Sequence, residues 1–378
     1  MSSTKDDLSA LRETRFEDAL TKLEDLLTQG RRAFLIGAGC SKCAGLPLIV
    51  ELTQKTLNSE SLEATAKAIL QGIRDGLGES ATIEDYLSEL VDLLAIAERR
   101  SLKKAPQTSV DVGGAKYDVD QLRAAVESIK RALAEIIDQP ASVTHHRDFI
   151  KAVHRPLRPG KAAPSAVDYL VLNYDTLLET ALALERIPYA DGMEGGGTGW
   201  WSPSTLERSD IQARVLKLHG SIDWRELPSD PMPRRINSTA AGEGDGRIVI
   251  WPASTKYRET QRDPYAQLAD LARQVLNPQK GLYQVLVVCG YSFGDSHINI
   301  ELERGLRESD GRLTMVVLTY DEIPTNDLKR WTDDPELYSQ ILVFGRRGFF
   351  HGSTRESTEG DLPWWKFENF VRLLGGER

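Results

Sequence analysis

The chain has 378 residues, 40% of them hydrophobic and 27% charged, enough apolar material for one large or two ordinary domains with real cores. Lys and Arg number 47 against 56 Asp and Glu, a net charge of −9, so nothing in the overall balance points to a polyanion and direct nucleic-acid binding is not expected. Three cysteines, Cys40, Cys43 and Cys289, can neither form a disulfide framework nor give four thiolates to a structural zinc; with a polar Met1–Leu11 and no stretch near the roughly 20 apolar residues of a membrane span, they suit the reducing cytoplasm.

From Asp7 to Gln29 the residues Phe16, Leu20, Leu23 and Leu27 recur at four- and three-residue steps, one face of a helix that Gly30 would end. Ala33–Ile36 is a short apolar run breaking at Gly37-Ala38-Gly39, the pattern of a buried strand feeding a glycine loop. From Leu62 to His154 the periodicity is helical, with Thr82 and Asp85 forming a capping box ahead of Tyr86, Leu87 and Leu90. Arg100–Lys116, with Pro106 and Gly113-Gly114, is expected as an exposed linker within this helical insertion, which should pack as its own module. After a loop over Arg155–Ser165, strand signals return at Val167–Leu172, Arg214–Leu218, Arg247–Trp251, Tyr283–Cys289, Leu313–Thr319 and Gln340–Phe344, most of them separated by helices. Pro228–Gly246 has the composition of a mobile loop, and Trp364–Leu374 that of a short docking helix.

Strands alternating with helices imply an α/β fold, an open, doubly wound, mainly parallel sheet covered on both faces, with ligands at the carboxyl ends of its strands. The expected organisation is an N-terminal helix (1–30), a discontinuous nucleotide-binding domain (31–60 and 160–350), the helical insertion (61–159) and a C-terminal docking segment (351–378).

Four segments stand at the ends of predicted strands. Gly37-Ala38-Gly39-Cys40-Ser41 followed by Gly45-Leu46-Pro47 would let backbone N–H groups approach a phosphate, with Pro47 opening the next helix; alone it could equally be a tight strand-to-helix turn. A dehydrogenase fingerprint would need glycine where Lys42 stands. Asn173-Tyr174-Asp175 ends a strand on an amide and a carboxylate that could face one pocket, unless Asp175 only caps the following helix. His219-Gly220-Ser221 ends another on a histidine expected to be accessible and able to exchange a proton near neutral pH, unless it is structural. Cys289-Gly290-Tyr291-Ser292-Phe293-Gly294-Asp295-Ser296-His297-Ile298-Asn299 repeats the logic of the first, the alternative being a turn capped by Asp295 or Ser296.

Together, and in this order, the four resemble the sirtuin family, in particular its diverged bacterial branch of NAD-consuming anti-phage defence proteins. Gly-Ala-Gly-x-Ser with Gly-Leu-Pro is similar to the sirtuin NAD loop, Asn-Tyr-Asp to its Asn-Ile-Asp, His-Gly-Ser to its catalytic histidine motif and Gly-Tyr-Ser to its Gly-Thr-Ser loop. The resemblance covers about Arg31 to Thr319 apart from the insertion and implies a Rossmann-like sirtuin domain. Two departures stand out: no four-cysteine zinc module can be built, and Leu48-Ile49-Val50 replaces the Asp-Phe-Arg common in deacetylases. The defence-branch likeness implies NAD as substrate, no metal, and hydrolysis to nicotinamide and ADP-ribose.

The resemblance assigns Gly37, Ala38, Gly39, Ser41, Gly290 and Ser292 to the pyrophosphate and ribose, Asp175 to the nicotinamide amide, Asn173 to ribose hydroxyls or the attacking water, and His219 to general-base work. A toxic NADase implies gating by homo-oligomerisation or by a partner such as a HerA-type hexameric DNA-translocating ATPase or an Argonaute. A non-catalytic NAD or ADP-ribose sensor and a zinc-free deacylase or ADP-ribosyltransferase remain as alternatives. Trp200-Trp201 is expected to pack rather than to lid the pocket, and His145, His146 and His154 with Arg147, Arg155 and Arg158 to form a solvated helix end. Cys40 and Cys43 are expected as small residues beside a nucleotide rather than a redox pair, and Glu51, Glu84 and Glu89 carry no acid/base pairing signal.

Overall fold

A computed structural model of the chain describes residues 6–29, 31–155, 166–227, 230–236, 247–250 and 263–377. Asp7 accepts hydrogen bonds from the Ser9 amide and hydroxyl, and the chain opens with a 3-10 turn over Ser9–Arg12 before helix α1 (Thr14–Gln29), so the first helix begins later than its periodicity suggests. Its expected apolar face is buried. β1 (Arg31–Ile36) then runs into a 3-10 helix over Ala38–Ala44, and α2 (Ile49–Leu57) starts only after Leu48, so Pro47 precedes that helix instead of opening it. Gly30 lies outside the described residues.

The insertion contains α3 (Ala64–Leu77), α4 (Ile83–Leu102) and α5 (Val119–Ile137), with a hairpin of β2 (Val110–Val112) and β3 (Ala115–Tyr117) between the last two, then α6 (Thr144–His154). The Thr82/Asp85 box is present, the Thr82 amide donating to Asp85 at 2.7 Å. The Arg100–Lys116 expectation is corrected: the two glycines there, both at positive φ, turn a hairpin, and Val110 and Val112 are buried. Helices α3, α4 and α5 share one core with Tyr174, Ile222, Ile248 and Ile250 from outside the insertion, whereas Phe149, Ile150 and Val153 of α6 pack into a core of the main sheet.

The remaining chain gives β4 (Val167–Val171), α7 (Leu177–Leu184), β5 (Tyr189–Ala190), β6 (Met193–Gly195), β7 (Thr198–Trp201), β8 (Ala213–Lys217), β9 (Gly220–Leu227), β10 (Asp230–Ile236), β11 (Arg247–Ile250), α8 (Tyr265–Leu276), β12 (Gln284–Cys289), α9 (Ser296–Glu308), β13 (Leu313–Leu318), α10 (Asn326–Asp333), β14 (Ile341–Gly345), β15 (Gly348–His351), β16 (Thr354–Ser357) and α11 (Phe367–Leu374). Nine strands form the main sheet in the order β16-β15-β14-β13-β12-β1-β4-β8-β5, parallel from β14 to β5 and antiparallel at β15 and β16. The fold is therefore α/β with a large, mostly parallel, Rossmann-like sheet. Alternate residues of β1, Phe34 and Ile36 against Ala33 and Leu35, enter two different cores, one under α1, α6, α7 and α11 and one under α8, α9 and α10, as a sheet covered on both faces requires.

A second, antiparallel sheet in the order β11-β9-β10-β7-β6 draws β6 and β7 from before β8 and β9, β10 and β11 from after it. It corrects two expectations: Arg247 starts a strand of this sheet, not of the parallel one, and Asp230–Ile236 within Pro228–Gly246 is a strand. The rest of that segment, Trp251, and most of Arg155–Ser165 lie outside the described residues. Among the described residues no helix is long and apolar enough to cross a membrane.

Candidate functional site

β1 is flanked by β4 on one side and β12 on the other, so strand order reverses beside it, and the carboxyl ends of these strands are where an open α/β sheet takes its ligand. Ile36 is level with Cys289 and Val171, and the four motifs leave the sheet around this point. The two glycine loops touch: the Gly37 amide donates to Cys289 O and the Gly39 amide to Gly290 O, both at 2.9 Å. A Cβ on Gly37 would lie 2.4 Å from Gly290 O, and one on Gly290, at φ +64°, would lie 2.4 Å from the Cys40 amide nitrogen. These glycines let one loop lie on the other. Ala38 and Ser292 are exposed at the outer side.

Ser41 joins the first two motifs. Its hydroxyl donates to Asp175 Oδ2 at 2.7 Å and accepts from Asn173 Nδ2 at 2.7 Å. Because the single hydroxyl proton goes to the carboxylate, Ser41 can only accept from the amide, which fixes the amide's orientation. Asn173 Oδ1 is then turned the other way, buried and, among the described residues, with no hydrogen-bond partner. Asp175 Oδ1 accepts from the Leu177 amide at 3.1 Å, so the carboxylate holds the start of α7 with one oxygen and Ser41 with the other.

His219 is 5% exposed, which corrects the expectation of an accessible histidine. Its Nε2 lies 3.1 Å from Asp295 Oδ2, and its ring is 6.3 Å from that of Tyr174. The next residue, Gly220, sits at φ +83° against Val249 O of β11, turning the chain from the parallel into the antiparallel sheet and leaving the histidine at the junction.

Sequence reasoning missed the polar layer beneath. Lys217, 1% exposed, donates to the main-chain oxygen of Asp175 and lies 3.4 Å from Glu179 Oε1. Burial pushes the Glu179 carboxyl up to about 7, Lys217 opposing the rise. Beyond Glu179, Asp191 bonds Arg235, whose Nε is 3.2 Å from Asp223. Tyr174 donates to Glu84 Oε1 of α4 at 2.8 Å, so the insertion reaches the Asn-Tyr-Asp turn directly. A lysine in the otherwise apolar Val215-Leu216-Lys217-Leu218 run was the available signal, since a buried ammonium needs partners.

Of the other features, Trp201 is buried, 6.0 Å from Trp224, while Trp200 is 47% exposed. The solvated-helix-end expectation is overturned for two of its histidines: His146 packs 5.1 Å from Phe367 and His154 bonds the Tyr169 hydroxyl, and burial takes both down to about 4. Burial pushes the Cys43 thiol up to about 12 and raises that of Cys40 well above its ordinary value, so neither is a ready thiolate. Among the described residues no group of three or more His, Cys, Asp or Glu side chains is placed to hold a metal ion.

A family model for the SIR2-like domain matches residues 168–337, from β4 to just beyond α10. The match takes in Asn173, Asp175, His219, Gly290 and Ser292 and supports a sirtuin-like family and an NAD-related activity in general. No curated protein matches the chain.

Proposed function

We propose that the chain is an NAD glycohydrolase of the sirtuin-like defence type, cleaving NAD to nicotinamide and ADP-ribose. The observation that carries this is Asn173 Oδ1: a buried acceptor, aimed by the Ser41–Asp175 relay and left without a partner among the described residues, at the strand-order reversal. Buried polar atoms are rarely left unsatisfied, and one oriented in this way fits a ribose hydroxyl or a water.

The bond broken joins ribose C1′ to the pyridinium nitrogen. Its leaving group is already cationic and departs as neutral nicotinamide without an acid; the site needs only to stabilise oxocarbenium character and direct water. Asn173 Oδ1 holds the water or the ribose hydroxyl beside it, the water oxygen bonds to C1′, and His219 takes the released proton. The second lone pairs of Asp175 accept from the nicotinamide amide, and the exposed edges of the two glycine loops, Ala38 and Ser292 among them, face the phosphates.

Gating follows from burial. Ser41, Asn173 and His219 are each at most 7% exposed, so substrate entry requires the insertion or the antiparallel sheet to move, by self-assembly or by a partner of the kinds the resemblance implies. Toxic NAD depletion in anti-phage abortive infection is the role this suits. The test is nicotinamide release by the purified chain at low and high protein concentration, with Asn173→Ala and His219→Ala in parallel. Release that both substitutions abolish, and that rises faster than protein concentration, supports the proposal; folded variants that keep the wild-type rate refute it.

A further inference from the structure

We infer that Asp295 is a positioning residue for His219, the carboxylate of a buried His–Asp dyad; the inference rests on the glycohydrolase proposal above. Asp295 uses its two oxygens for different tasks. Oδ1 accepts from the His297 amide at 2.9 Å and the Ile298 amide at 3.3 Å, capping α9, while Oδ2 lies 3.1 Å from His219 Nε2. Both side chains are less than a tenth exposed. A cap alone would need one oxygen and no histidine.

The surrounding run holds this carboxylate still. The Tyr291 hydroxyl accepts from the Asp295 amide at 3.3 Å and lies 2.8 Å from Asn299 Oδ1 and 3.0 Å from Asp295 O. Asn299 Nδ2 in turn donates to Phe293 O and to Asp327 Oδ2, each at 2.8 Å. Tyr291, Asp295 and Asn299, spaced four apart, thus form a clasp around the N-terminus of α9. The α9 N-terminus and its capped amides favour the ionised carboxylate.

A carboxylate on Nε2 selects the Nε2–H tautomer, leaves Nδ1 as the basic nitrogen, and stabilises the imidazolium formed when Nδ1 takes a proton. Among the described residues, Tyr174, tied to Glu84 of the insertion, and Tyr291 and Tyr265 on the Asp295 side also face the dyad, all three pushed upward by burial and so neutral across the histidine range. Asp295 therefore places a carboxylate directly on the His219 ring.

The test compares wild type, Asp295→Asn and Asp295→Ala. Asparagine is as good a helix cap as aspartate, so Asp295→Asn keeps the fold should Asp295→Ala lose it. For nicotinamide release across the histidine titration range, Asp295→Asn is expected to lower kcat about 100-fold with KM little changed, and to move the acidic limb of the profile to lower pH by about one unit. In parallel, 15N NMR of the imidazole, assigned with His219→Gln, is expected to show Nε2 protonated and Nδ1 unprotonated in wild type, with a lowered titration midpoint in Asp295→Asn. Unchanged kcat and limb, or an Nδ1–H tautomer, overturns the dyad while leaving the glycohydrolase standing. Absence of turnover in wild type refutes the glycohydrolase, and the imidazole spectra then decide the dyad by themselves.

Discussion

Gly37, Gly45 and Gly290 separate two reasons for a glycine in a nucleotide loop. Gly45 sits at φ +98° with none of the described residues within 4 Å of where a methyl group would stand, so Gly45→Ala is expected to meet backbone strain alone, about 1 kcal/mol. Gly37, at φ −103°, has no such strain, yet its new Cβ would lie 2.4 Å from Gly290 O and 2.8 Å from Tyr291 Cα. Restoring ordinary contact requires the loops to part by about 1 Å, which also loosens the Gly39-to-Gly290 hydrogen bond; overpacking plus that bond amounts to about 2–4 kcal/mol. Gly290→Ala, at φ +64° and 2.4 Å from the Cys40 amide nitrogen, meets both penalties and should cost the most. Urea denaturation of the three variants, with the slope checked for constancy, gives the ranking Gly45→Ala, Gly37→Ala, Gly290→Ala in increasing cost. If Gly37→Ala stays within about 0.5 kcal/mol of wild type, the loop contact yields freely and the reasoning is wrong; the glycine is then there for a ligand's approach alone.

Three further outcomes are expected. Stability contributed by Glu179 falls as pH rises: its folded carboxyl holds a proton up to about 7 against an ordinary 4.5, so between these values folding takes up a proton, at a cost on the order of 3 kcal/mol by the upper value, and a pH series of denaturation midpoints with Glu179→Gln as control should show the drop only in wild type. Lys217→Met leaves Glu179 unpaired and the Asp175 carbonyl without its donor, and should destabilise the fold by about 3 kcal/mol, measured by urea denaturation at neutral pH. Tyr174→Phe removes the bond to Glu84 and should cost about 1–2 kcal/mol, with faster amide exchange at the start of α4 than in wild type.

The parallel sheet was legible because its strands are buried on both faces and read as continuous apolar runs, as in Val285–Val288 and Met315–Leu318. The antiparallel sheet was not: its short strands show no clean alternation, Arg234 and Arg235 standing side by side and pairing with Trp200 and Gly199 far away in sequence, and Asp230–Ile236 carries two prolines that argue against a strand. The convergence of Ser41, Asn173 and Asp175 followed from their places at strand ends, but the pairing of His219 with Asp295 did not. A helix-cap pattern accounts for Asp295 locally, and nothing in the spacing says that its second oxygen faces a strand end 295 minus 219, or 76, positions earlier in the chain.

Each group proposed to do chemistry is held by an element other than its own. Ser41, after β1, fixes Asn173 and Asp175, after β4; Lys217, at the end of β8, holds the Asp175 carbonyl; Asp295, at the start of α9, holds His219; and Glu84, in the insertion, holds Tyr174 between them. Such a site is assembled by tertiary packing rather than by any one loop, so it is rigid only while the pieces stay docked. The insertion and the antiparallel sheet share one core through Tyr174, Ile222, Ile248 and Ile250, and a force on either is carried to the Asn-Tyr-Asp turn through Tyr174. A surface event on the insertion, such as contact with a second copy or a partner, therefore has a short physical path to the atoms proposed to bind NAD: Glu84, Tyr174, then Asn173 and Asp175 on either side of it.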